Sequence, residues 1–242
     1  MKTAMPHRRW RARLVLSSLA LCALGSASRA MAFGWPEIEP PPQSHVVWVG
    51  QDMKINGVPL RVQQFDSSLA ADDVLTFYRA HWGSRQERKS VENKRGDFSV
   101  IGRKEGDYYL TVEVKNSARS GSEGFLSVSR LPGVDKPDMS PGELPMNSGS
   151  KVLWVMDSSD AGKSSKQVTL FNRDSVKSNV LYYDNALLTR GWTKKQESSA
   201  KNVPDESTLT SYAKDKEELT LEIIRKQGSV ATLVVSNLVT LH

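Results

Sequence analysis

Cysteine is nearly absent from this chain. Cys22 is its single thiol, and four histidines complete its stock of nitrogen and sulfur metal ligands. One cysteine cannot build a disulfide framework. His45, His81 and His242 have no His or Cys partner at i+2 or i+4, the spacing that builds a zinc site on one element, so no metal is expected. The glycines are scattered and form neither a GxGxxG turn nor a Walker loop, and no GxSxG elbow occurs. No cofactor and no catalytic residue is expected, and the chain reads as a protein that is not an enzyme. Three acid pairs, Asp72-Asp73, Asp205-Glu206 and Glu217-Glu218, raise the question of a glycosidase, which needs two carboxylates across a sugar bond. The first pair suits a helix N-terminus and the other two sit among lysines as solvated surface.

Long apolar runs are also missing. The stretch from Leu14 to Leu24 is too short for a bilayer, which takes about 20 helical residues, and no later stretch approaches that length. No transmembrane segment is expected once the N-terminus is removed. The first thirteen residues carry five Lys or Arg and no acid, and the apolar run follows them, so residues 1–32 read as a signal peptide. Small residues in Ala30-Met31-Ala32 place cleavage after Ala32, with Ala30 as second choice. Trp10-Arg11-Ala12-Arg13 continues the charge where a twin-arginine signal turns apolar, and Leu21 precedes Cys22 where lipidation wants a small residue. The mature chain is therefore expected in the periplasm, without a thiol.

Charge excludes a further class. The net charge of +6 resides in the signal, whose removal leaves 27 basic and 27 acidic residues. A balanced chain has no general footprint for phosphate backbones, so nucleic acid is not a partner.

What the chain does contain is an internal similarity. Shifted by 106 positions, Val46-Val47-Trp48-Val49 falls on Val152-Leu153-Trp154-Val155, Val62 on Val168, Phe65 on Phe171, Val74-Leu75 on Val180-Leu181 and Phe77 on Tyr183. The shift becomes 109 where LTVEV (110–114) meets LTLEI (219–223), and 107 where LSVSRL meets LVVSNL. Matches that keep their order through strand and helix point to a tandem repeat. Each copy opens with two β-branched and aromatic strands and continues into a helix, capped by Ser68 or Asp174 and ended by Gly83 or Gly191. On the first helix, Val74, Phe77, Tyr78 and His81 share one face; on the second, Val176, Val180, Tyr183 and Leu187 do. Three strands follow, near 97–103, 108–115 and 124–131, and near 208–213, 218–225 and 230–238.

The expected fold class is α+β: two tandem ββαβββ helix-grip-like modules, each an antiparallel sheet packed on one helix. The alternative is one continuous sheet shared by both. Module 1 spans 45–131 and module 2 spans 150–242. A proline-rich segment, 132–149, links them, and a proline-rich extended leader, 33–44, precedes the first. Trp82 and Trp192 lie near the helix ends, and Trp35 lies in the leader with no evident core to enter. With Phe33 at the new N-terminus, these are the candidate partner-binding residues: Phe33, Trp35, Trp82 and Trp192.

The layout of leader, module, linker and module resembles BamC-like exported proteins, lipoproteins of outer-membrane assembly with two helix-grip modules. Cys22 departs from that family at the lipidation site. The stretch VQQFDSSLAADDVLTFYRAHW is similar to segments of uncharacterised exported proteobacterial proteins. The resemblance implies an adaptor or accessory subunit that binds an envelope protein partner, without catalysis. The alternative is a periplasmic carrier or sensor of an apolar small molecule, held in a groove between helix and sheet.

Overall fold

The computed structural model describes residues 34–83, 90–131, 133, 136–200 and 205–242. The signal-peptide segment and the candidate Phe33 lie outside the described residues. Trp35–His242 form one compact unit.

Apolar runs broken by two-residue turns fold as hairpins. β1 (Ser44–Ile55) turns back into β2 (Val58–Ser67) through Asn56 and Gly57, whose φ angles of 50° and 79° fit the right-handed twist of paired strands. The helix α1 (Ala71–Gly83) follows, then β3 (Val91–Arg95), β4 (Phe98–Glu105), β5 (Tyr108–Asn116) and β6 (Ser122–Arg130). The second half repeats this order with β7 (Lys151–Asp160), β8 (Lys163–Asn172), α2 (Val176–Leu188), β9 (Thr193–Ala200), β10 (Glu206–Lys214), β11 (Glu217–Arg225) and β12 (Thr232–Leu241).

The expectation of two ββαβββ helix-grip-like modules is overturned. All twelve strands belong to one antiparallel sheet in the order β3-β4-β5-β6-β2-β1-β7-β8-β12-β11-β10-β9, so the molecule is mainly β with two short helices. Two physical reasons account for the difference. The opening strands β1 and β7 pair with each other, which joins the halves through backbone hydrogen bonds. Each half also has a strand directly after the helix that the sequence pattern does not reveal. β3 reads VENKR and β9 reads TKKQESSA, and both are exposed along nearly their whole length. An outer edge strand touches little core, and charge along it deters pairing with other chains, so apolar alternation is missing there.

One face of the sheet is buried in each half. In the first, Phe65, Ile101, Leu110, Val112, Val114 and Leu126 pack against Val74, Leu75, Tyr78 and Trp82 of α1. In the second, Val155, Val168, Leu170, Leu219, Leu221 and Ile223 pack against Val176, Tyr183 and Leu187 of α2. A thirteen-residue helix is about 20 Å long and cannot cover six strands about 4.8 Å apart. The chain ahead of each hairpin covers more of the face. Ile38 is buried in the first cluster and Leu144 packs on the second, and the Tyr78 phenol donates to the Glu39 carbonyl at 2.8 Å. Leader and linker are thus partly built into the two cores.

Strand register corrects the internal alignment. Ala71, Val74, Tyr78 and Trp82 are buried on α1 where Val176, Asn179, Tyr183 and Leu187 are buried on α2, an offset one residue shorter than 106. Phe77 therefore matches Tyr182. Its ring meets Tyr78 edge-on at 5.0 Å, as Tyr182 meets Tyr183 at 5.2 Å. Phe65 likewise matches Leu170, since these lie opposite Val46 and Val152. An extra bulge in β1, between Gly50 and Met53, absorbs the missing residue. In the last strands Leu126 matches Ser236, because both oppose the central residue of LTVEV or LTLEI. His81 leaves the buried face; its Nδ1 lies 2.9 Å from the Phe77 carbonyl oxygen.

Helix α2 starts at Ser175, whose Oγ accepts the Ser178 N–H at 3.0 Å, and not at Asp174. Asp174 instead offers its carbonyl to Thr232 Oγ1 at 2.6 Å and Arg225 at 2.7 Å. Gly191, at φ 84°, ends α2 as expected: Trp192 N–H donates to Leu187 and Gly191 N–H to Leu188. The α1 start differs too. Ala71 N–H donates to Asn116 Oδ1 at 2.9 Å, while the Ser68 hydroxyl donates to Gln43.

Asn179, fully buried where α1 has Val74, exchanges amide hydrogen bonds with Asn172 at 2.7 and 3.0 Å. Removing one partner leaves the other desolvated and unpaired. Asn179→Ala is expected to cost about 2 kcal/mol, read as a lower urea midpoint with an unchanged slope.

Candidate functional site

The pairing between β1 and β7 is short. Only Asp52, Met53, Lys54 and Ile55 find partners, at Ser159, Ser158, Asp157 and Met156. Asn56 extends the contact by one step: its N–H donates to the Val155 carbonyl at 2.8 Å, and its Oδ1 accepts the Val155 N–H at 2.9 Å. Because the two hairpins are staggered, residues 44–51 of β1 pair with β2 on one side and, among the described residues, with no strand on the other. Residues 151–154 of β7 are left beside the β1–β2 turn in the same way.

The two free stretches differ in what lies beside them, although Leu153 of β7 is exposed like Val47 of β1. Beside β7, the linker folds over the turn: Asp138 N–H donates to the Asn56 carbonyl at 2.9 Å, and a Cβ at Gly57 would fall 2.6 Å from the Asp138 nitrogen. Beside β1 there is an open notch of about 720 Å³, lined by Trp48, Val49, Gln51, Ser159, Asp160 and Lys163. Trp48 at 48% and Val49 at 53% stand exposed in its wall, and the preceding Val47 is exposed at 46%. Register puts Val46 and Trp48 on the helix-bearing face and His45 and Val47 on the other.

The candidate aromatic residues are distributed differently. Trp35 is half-buried against the first core, its ring 5.1 Å from Tyr108 and beneath the Arg61 guanidinium at 4.8 Å. Trp82 is 4% exposed, packed on Tyr78 at 5.2 Å and under Arg103 at 5.0 Å. Trp192 is half-buried against the second core. These three are not brought together, and they fill space in the two halves. Trp48, not a candidate from sequence, is the exposed one. Its apparent counterpart Trp154 faces the opposite side of the sheet, because a bulge between Val152 and Trp154 sets Trp154 opposite Thr169. The signal available in sequence was the run VVWV itself, four apolar residues where a half-buried strand alternates.

Two other features invite a chemical reading. Asp184 accepts from the Tyr212 phenol at 2.6 Å and from Lys194 at 2.9 Å, and Lys194 also pairs with Glu197. Burial, reinforced by the bond to Asp184, pushes the Tyr212 phenol up. Burial works against the charge on Lys194, but its bonds to Glu197 and Asp184 raise its pKa nonetheless. Both groups are held in their protonated forms, the reverse of what a base or nucleophile needs, so the cluster ties α2 to β9 and β10. A cavity of about 70 Å³ lies under the end of α2, between Leu144, Leu187, Trp192, Leu219 and Leu238. Trp82 occupies the Leu187 position in the first half. Among the described residues no cluster of His, Cys, Asp and Glu could hold a metal ion, and no helix is long and apolar enough to cross a membrane.

The placement of the indoles predicts opposite effects of two truncations. Trp82→Ala should cost about 3–5 kcal/mol, whereas Trp48→Ala should cost less than about 1 kcal/mol, both read by chemical denaturation. Burial also raises the phenols of Tyr78, Tyr183 and Tyr212 well above the usual value near 10. The unfolded chain then loses these protons first, so stability present below about pH 10 falls as pH rises further. Absorbance at 295 nm during alkaline titration should show these three tyrosines ionising only together with unfolding.

No protein-family model matches the chain, and no curated protein does. Among solved structures the chain is similar to the immunity protein TplEi of the T6SS from Pseudomonas aeruginosa, determined with the "L" peptide, at 11% identity over 84% of this chain and 83% of that one, with a TM-score of 0.27. A likeness at that score carries no conclusion about fold or function.

Proposed function

We propose that this chain is a non-catalytic exported protein that binds a protein partner in the cell envelope, with the notch beside β1 as the contact surface. The observation that carries this reading is the exposure of Val47, Trp48 and Val49 together at the edge of that notch. Isolated exposed apolar residues are ordinary on a protein surface, whereas here Val47 and Trp48 expose apolar side chains on both faces of one strand edge that no other strand covers among the described residues. The charged, thiol-free N-terminal pattern of residues 1–13 and the small residues before Phe33 support export.

The alternative, a carrier of an apolar small molecule, finds less support. The cavity under α2, with Lys166, Arg190, Lys214 and Glu217 in its wall beside the leucines, measures about 70 Å³, while pockets for drug-sized ligands run to roughly 300–1,000 Å³.

A chain carrying both Val47→Lys and Val49→Lys should keep the wild-type denaturation midpoint. It should lose, by about tenfold or more, a partner that the wild-type mature protein retains from envelope extracts. A wild-type protein that elutes alone from those extracts overturns the reading.

A further inference from the structure

We propose that the partner is taken up as an added β-strand, an extended segment of another protein whose backbone pairs with residues 44–48 of β1. This rests on the reading that the notch binds a protein. The first support is the backbone. In an antiparallel pair every second residue turns its N–H and C=O away from the neighbouring strand. Along residues 44–48, where pairing with β2 is regular, those groups face no strand among the described residues, over a length of roughly 17 Å, and beyond Trp48 bulges on either side of Gly50 interrupt the row. Only another extended backbone matches such a row of alternating donors and acceptors.

The second support is a contrast within the same sheet. Its outer edges, β3 with VENKR and β9 with TKKQESSA, carry the charges that keep edge strands from pairing with other chains. The open stretch SHVVWVGQ has no Lys, Arg, Asp, Glu or Pro. The chain therefore places charge on the edges that end the sheet and none on the inner one, whose bulges begin only after Trp48. That inner edge is also walled on one side by the tip of the β7–β8 hairpin, at Ser159, Asp160 and Lys163, which limits how far an incoming strand extends.

Side chains state what the segment looks like. Val46 and Trp48 lie on the helix side, where Trp48 borders a groove with Pro36, Ile38 and Pro40 of the leader. Val47 lies on the opposite side. An incoming strand with apolar or aromatic residues at alternate positions meets Trp48 directly across the pair, and a residue pointing the other way meets Val47 and His45. The partner segment is thus extended, about five residues long by the reach of the regular edge, apolar on the Trp48 side and without proline.

The test selects binders to the full mature chain from a library of random twelve-residue peptides and then N-methylates each position of the best peptide in turn. Strand addition predicts a period of two. Methylation at alternate positions should weaken binding about tenfold or more and leave the positions between unchanged, with amides within residues 45–48 gaining hydrogen-exchange protection. Peptides that bind the wild type and not the Val47→Lys, Val49→Lys variant, but with no alternation and no protection at 45–48, would overturn strand addition and leave a side-chain contact at the same notch. If no peptide is retained, both this inference and the proposed function fall. Sedimentation showing a dimer that the same variant dissolves, with 45–48 protected in the absence of peptide, would overturn the choice of partner in favour of a second copy.

Discussion

Four residue pairs between β1 and β7, with Asn56 adding a fifth step, hold the two halves in one sheet. The rest of the architecture depends on how short that seam is. Had the two opening strands paired along their full lengths, the sheet would have no interior edge. Because they overlap only at their inner ends, each half slides past the other and each opening strand keeps an unpaired stretch. On the β7 side the linker lies against the Asn56-Gly57 turn, helped by a glycine that lets the Asp138 backbone approach closely, while Leu153 stays exposed. On the β1 side the stagger leaves the notch between β1 and the tip of the β7–β8 hairpin.

The same constraint explains the roles of the proline-rich segments. Each half must cover a six-stranded face with a helix too short for it, so the preceding chain is used as a second cover. Ile38 and Leu144 enter the cores at matching places ahead of their hairpins, and Trp35 lies over Tyr108 beside Arg61. Over residues 35–43 the leader thus packs Trp35 and Ile38 on the chain's own first half. Exposed apolar residues run consecutively on β1, at Val47, Trp48 and Val49.

Much of the layout was legible from local pattern. Alternation in LTVEV and LTLEI identified two central strands, and Tyr183, Leu187 and Gly191 located the face and end of the second helix. The errors share a cause. A bulge moves every following side chain across the sheet, and it is set by pairing with the neighbouring strand. Hence Trp154 left the face of Trp48 and Phe65 found its match in Leu170; on α1 the buried stripe instead follows Val74, Tyr78 and Trp82 at four-residue spacing, which leaves His81 off it. The edge strands β3 and β9 escaped notice because burial produces apolar alternation and they have almost none.

By itself the sequence determined the strands with a buried face, the two helices, and that the two halves run through these in the same order, because those properties follow from side-chain period and from turn residues acting over a few positions. It also carried the apolar run VVWV in plain view. Only the tertiary structure decided that this run lies on an edge. Whether a strand is central, terminal or open depends on which distant backbone reaches it, and here the stagger of β7 against β1, residues about a hundred positions apart, settles that question.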